Sequence, residues 1–137
     1  MLSNTLNTNE IKDASATEVE FQRLSTNGRS TEYAQITETY NLPHRLKISH
    51  LESGSGTARR RRSVVRFDKT IAGADLLPAT VSAYAVLDIP VGDLSATTEA
   101  KNVLAELMSF CASLGASTTI LYDCTGNGAV SLVTGGL

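Results

Sequence analysis

Residues 58–70 read ARRRRSVVRFDKT, four consecutive arginines running straight into a β-branched and aromatic segment. Val64, Val65, Phe67 and Thr70 favour a strand, because branched and flat side chains suit a pleated, half-buried surface. Side chains of a strand alternate between its two faces. Arg60, Arg62, Val64, Arg66 and Asp68 therefore share one face, while Arg59, Arg61, Ser63, Val65, Phe67 and Lys69 share the other. Two readings compete for such a strand. It is either a solvated edge kept from aggregating by its charge, or a row of guanidinium groups offered to a polyanion. Its neighbours decide.

Upstream, HRLKISHLE (residues 44–52) is a second strong strand, with Leu46 and Ile48 on one side and Arg45, Lys47 and Ser49 on the other. The Ser/Gly stretch 52–56 has the composition of a tight return. Hairpin partners share faces, so Arg45 and Lys47 join Arg60, Arg62 and Arg66 on one surface. Further upstream, TEVEFQRLS (residues 17–25) and STEYAQITETY (residues 30–40) flank Asn27-Gly28, the strongest short-range hairpin cue, here expected to supply both positive-φ positions of the turn. In the first 16 residues only Leu2, Leu6 and Ile11 offer anchors for a short strand.

Downstream, residues 71–80 form a Gly- and Pro-punctuated loop with an apolar centre at Leu76, Leu77 and Pro78. Leucines exposed in a loop point to contact with another subunit. VSAYAVLDIP (residues 81–90) is the last strand, with Val81, Ala83, Ala85, Leu87 and Ile89 on its apolar face and Ser82, Tyr84, Val86 and Asp88 opposite. The period then changes. Ala100, Val103, Leu104, Leu107, Met108, Cys111 and Leu114 recur at helical spacing, with Ser95 or Thr97 as N-cap and Gly115 as stop. Residues 118–124 are either a short second helix or an extended piece, and Gly126-Asn127-Gly128 reads as a turn.

Strands followed by one or two helices give an α+β fold, a single domain over residues 1–137. A sheet of five or six strands is about 25 Å wide, whereas one helix covers only about 10 Å. Much of the apolar face is left bare, and a second copy of the chain has to cover it. Val103, Leu104, Leu107, Met108 and Cys111 are the helix positions expected in that shared core.

The formal charge of −2 conceals a local field. Eight of the twelve Lys and Arg fall between positions 45 and 69, opposed there only by Glu52 and Asp68. Cys111 and Cys124 lack metal-ligand spacing and any CxxC, which points to a reduced, cytoplasmic setting. The N-terminus lacks a signal-peptide pattern, and no apolar run approaches the roughly 18 residues of a membrane span. His44 and His50 share a face without cysteines or a carboxylate cluster, so they read as surface or interface histidines rather than metal ligands. Asp68 and Asp88 are expected to pair with arginine. No G-x-S-x-G and no P-loop is present. The chain reads as a non-enzyme with no metal and no cofactor. On its basic face, cations orient phosphates and Tyr84 is placed to stack on an unpaired base.

This order of features resembles the coat protein of single-stranded RNA bacteriophages, the levivirus group. The resemblance is carried by Asp75-Leu-Leu-Pro78, the strand VSAYAVLDIP and the helix ATTEAKNVLAELMSF, and spans residues 17–125. It implies an N-terminal hairpin, an antiparallel sheet and C-terminal helices in an intertwined homodimer, with helices of one subunit lying across the other's sheet. It implies an icosahedral virion assembled in the bacterial cytoplasm, its sheets facing genomic single-stranded RNA. In many members the same face binds an RNA hairpin and represses translation. Carried over, the RNA-facing positions are Arg45, Lys47, Ser49, Arg60, Arg62, Arg66, Ser82 and Tyr84, and the loop 71–80 makes contacts around the symmetry axes. The rival readings are a small non-viral dimeric nucleic-acid-binding protein that forms no shell, and a dimeric structural domain with no nucleic-acid partner. The apolar loop Leu76-Leu77-Pro78, suited to repeated intersubunit contacts, speaks against the first.

Overall fold

A computed structural model describes residues 2–92, 96–112 and 120–136. Six antiparallel strands form one sheet in chain order: β1 Thr5–Leu6, β2 Phe21–Asn27, β3 Ser30–Gln35, β4 His44–Ser53, β5 Arg60–Ala72 and β6 Pro78–Ile89. Two helices follow among the described residues, α1 Ala96–Ala112 and α2 Asn127–Thr134. The α+β architecture expected from the sequence is present.

The core lies on one face of the first four strands. Phe21 and Tyr33 are fully buried, with Leu6 and Leu46 beside them and Ile48 and Phe67 packed against them. Burying each such side chain is worth about 1.5–3 kcal/mol. Phe21 meets Phe67 and His44 edge-on, at ring-centroid distances of 5.9 and 5.0 Å. Ile11 and Val19 close the cluster, joined by a 2.9 Å bond from the Val19 amide to the Ile11 carbonyl. The N-terminal stretch is thus a partial lid. Beyond β4 that cover stops, and on the same face Val65 is 40% and Val81 63% exposed.

Several boundaries differ from expectation. The second strand begins at Phe21, not Thr17, because residues 8–19 leave the sheet to cover it. Asn27 pairs with Ser30, so the hairpin loop is Gly28-Arg29 and not Asn27-Gly28. Only its first position needs positive φ, +58° at Gly28. β5 and β6 stay paired out to Ala72 and Pro78, with a 2.8 Å bond between the Thr70 and Thr80 hydroxyls. The expected loop 71–80 therefore contracts to residues 73–77, and Pro78 becomes a first strand residue, where a missing N–H is tolerated. Leu76 and Leu77 remain exposed in that loop, Leu76 with φ +60°.

α1 packs chiefly against α2 and β6, not across its own sheet. Val103, Leu104, Leu107, Met108 and Phe110 stay exposed, and Cys111 is half-buried. The helix starts at Ala96, which places Thr97 inside it; Ser95, Leu114 and Gly115 lie outside the described residues. The tail is corrected more strongly. Among residues 118–124, those described are not helical, and Gly126-Asn127-Gly128 is a helix start and not a free turn, with Gly126 as N-cap of α2. Gly128 is buried against the carbonyl and ring of Phe110, where a Cβ has no room. This close backbone approach docks α2 on α1.

Candidate nucleic-acid interface

The face opposite the core carries all eight predicted contact residues. Strand register arranges them in rows. Lys47, Arg66 and Tyr84 stand side by side on β4, β5 and β6, with Glu32 of β3 completing that row. The next row reads Arg45, Asp68 and Ser82, and on the other side come Ser49, Val64 and Val86, then Leu51, Arg62 and Asp88. Arg60 lies at the loop end opposite Ser53. At about 4.8 Å between strands, the Lys47–Arg66–Tyr84 row spans about 10 Å. Tyr84 is 68% exposed, so its ring is open to a ligand.

Arg59 and Arg61 take no part in this surface. Arg59 caps the short 3-10 turn Gly56–Ala58, and Arg61 points to the core side, 4.0 Å from Glu52. The two histidines are also on the core side. His50 Nδ1 is 2.8 Å from Ser63 Oγ, and His44 Nδ1 is 2.7 Å from Gln35 Oε1. Burial first, and Lys69 second, push the His44 pKa down, against a smaller upward pull from Glu38. Among the described residues no group of three or more His, Cys, Asp or Glu side chains is placed to hold a metal ion.

The face is less basic than the linear sequence suggests. Arg45 pairs with Glu38 at 2.7 Å, Lys47 with Glu32 at 3.6 Å, Arg60 with Asp88 at 3.0 Å and Arg66 with Asp68 at 2.9 Å. Four carboxylates thus answer five cations. Glu32 and Glu38 come from outside the basic segment: Glu32 reaches Lys47 through the β3–β4 register, and Glu38 reaches Arg45 from the connection between those strands. Arg62 makes no ion pair among the described residues. The cations of the Lys47, Arg60 and Arg66 pairs are open to water, and such pairs are worth about 0–1 kcal/mol, so phosphates can compete for them, whereas the Arg45–Glu38 pair is more covered. The Ser82 hydroxyl, against the opposing effect of burial and with help from the Arg66 guanidinium, holds the Asp68 carboxyl below its usual range. Leu51, exposed next to Arg62, is an apolar element the sequence reading did not single out as part of this face.

A six-stranded antiparallel meander followed by two helices is a fold this chain shares with phage coat proteins. No protein-family model and no curated protein matches the sequence. Among solved structures, the virus-like particle of bacteriophage EMS014 superposes with a TM-score of 0.67 at 13% identity, over 100% of this chain and 99% of that one. The bacteriophage EMS014 coat protein gives 0.62 at 12% identity, over 87% of each chain. The virus-like particle of Beihai levi-like virus 32 gives 0.55 at 21% identity, over 67% of this chain and 75% of that one. At these identities the likeness is one of fold.

Proposed function

We propose that this chain is a phage coat protein, a structural protein and not an enzyme. It forms a homodimer and assembles in the bacterial cytoplasm into an icosahedral shell around single-stranded RNA. The observation that carries the reading is the end-to-end fold likeness to the subunit of a bacteriophage virus-like particle. The half-bare sheet supports the dimer. Val65 and Val81 lack cover, while Val103, Leu107 and Met108 on α1 lack anything to cover. A second copy related by a two-fold axis satisfies both deficits at once. The face with Arg45, Lys47, Ser49, Arg60, Arg62, Arg66, Ser82 and Tyr84 turns toward the genome, and Leu76, Leu77 and Pro78 meet neighbouring dimers. The same face, through Tyr84 and the serines, serves as a translational repressor by binding an RNA hairpin.

Expression of the chain alone, followed by electron microscopy and the ratio of absorbance at the nucleic-acid and protein maxima, tests this. Uniform shells containing host RNA are expected. Dimers free of nucleic acid at low salt would overturn the reading, and dimers that bind RNA without forming shells would favour a non-viral nucleic-acid-binding protein.

A further inference from the structure

Two consecutive pairs on β5 and β6, Arg66 with Tyr84 and Asp68 with Ser82, form a square of four side chains on the charged face. Arg66 donates from Nε to both Asp68 oxygens at 2.9 Å, and from Nη2 to Ser82 Oγ at 3.4 Å. Ser82 in turn donates its hydroxyl to Asp68 Oδ1. The Asp68 side chain is 20% exposed and that of Arg66 49%, so the carboxylate is the inner support and the guanidinium the outer group. An unsupported arginine on an open strand samples many rotamers, and binding has to suppress them. Here the Nε edge is already held, which leaves the outer Nη hydrogens free beside the open Tyr84 ring. That edge is suited to a phosphate oxygen, and the ring to a base.

We propose that Asp68 and Ser82 are positioning residues that hold the Arg66 guanidinium beside Tyr84, so that one unpaired nucleotide binds with its base on Tyr84 and its phosphate on Arg66. The inference rests on the RNA-binding reading and sharpens it. Charge counting alone argues the opposite for Asp68. A carboxylate next to a phosphate site repels the ligand, so its removal should tighten binding. If the carboxylate's main effect is to aim Arg66, its removal loosens binding although the face becomes more positive. The Ser82 hydroxyl also holds the Asp68 carboxyl below its ordinary value, which favours the ionised form that pairs with Arg66.

The test is fluorescence anisotropy of full-length dimers, dissociated from shells and freed of host RNA, with a labelled oligouridylate of about ten nucleotides, within the usual site size for single strands. Asp68→Asn is expected to weaken binding about three- to tenfold, the scale of coupling between contacting side chains. Ser82→Ala shifts it the same way. The slope of log affinity against log salt falls by about 0.7 in Asp68→Asn, as it does in Arg66→Gln, because one phosphate contact is lost. Added to Arg66→Gln, the Asp68→Asn change has no further effect. Unchanged or tighter binding by Asp68→Asn, or an effect that persists without Arg66, would overturn the proposal. If Asp68→Asn does not fold, Ser82→Ala decides, since it removes only a hydroxyl; unchanged affinity there overturns the proposal equally. A wild-type chain that ignores oligouridylate at low salt would overturn both this inference and the RNA-binding reading. Wild-type binding with an indifferent Asp68→Asn would remove the positioning role alone.

Discussion

Leu107→Asp probes the cover missing over β5 and β6. Leu107 is 41% exposed in the single chain, so about two-fifths of its surface is available to a partner. Full burial of a leucine is worth about 1.5–3 kcal/mol, which makes that share worth about 1 kcal/mol. An unpartnered neutral polar group forced into the same contact costs about 1–3 kcal/mol by protein mutational measures, which is the floor for a carboxylate. A two-fold axis repeats the substitution in the partner, bringing the cost to about 4–8 kcal/mol per dimer. At 1.4 kcal/mol per tenfold, dimerisation should weaken by about three to six powers of ten. Light scattering coupled to size-exclusion chromatography reads the mass, and thermal unfolding over a range of protein concentrations reads the linkage, since a dimer's midpoint rises with concentration. The wild type should elute as a dimer or larger assembly with a concentration-dependent midpoint. Leu107→Asp should elute as monomer, or fail to accumulate if the half-bare sheet cannot stand alone. A soluble Leu107→Asp dimer with the wild-type concentration dependence would refute the reasoning, because it would mean that this side of α1 stays in water.

Changing Arg60, Arg62 and Arg66 together to Ser should lower packaged RNA and reduce the salt slope of binding by about 2, at about 0.7 per phosphate contact. A reduction of only about 0.7 would mean that just one of the three reaches a phosphate. Phe21→Ala should cost about 3–5 kcal/mol in urea unfolding, because the buried ring touches Phe67 and His44 and the lid of Ile11 and Val19 cannot fully collapse onto the space. For His44, a pKa lowered on folding means that its neutral form is favoured in the native state. Its contribution is complete above about pH 6.5, the unfolded value, and is lost as pH falls through the depressed native value. His44→Gln should flatten that acid limb in stability measured against pH, and an unaltered limb would exclude His44 as its cause.

The strand faces were readable because β4, β5 and β6 are long, nearly regular and paired without a bulge, so a period of two placed Val65, Phe67, Arg66 and Tyr84 correctly. β2 was harder to read. Its register shifts between Arg23 and Ser25, and its upstream extension is diverted into the lid. α2 was hidden for a different reason. NGAVSLVT combines two weak helix formers, Asn and Gly, with β-branched residues, so local propensity argues against a helix. What favours it is a contact, the bare Gly128 against Phe110, and no single-segment pattern contains that contact. The charge of the candidate interface was misjudged on similar grounds, since Glu32 meets Lys47 only through strand pairing and Glu38 meets Arg45 only through the fold of the β3–β4 connection. The four-arginine run illustrates both cases. Alternation sends Arg60 and Arg62 to the charged face and Arg61 to the core side, while Arg59 falls outside the strand. A slip of one residue would exchange Arg66 for Phe67 on the outer surface and press a guanidinium against the buried cluster of Phe21 and Leu46. The same register therefore fixes both the apolar seam and the cation row, and β5 cannot lose one without losing the other.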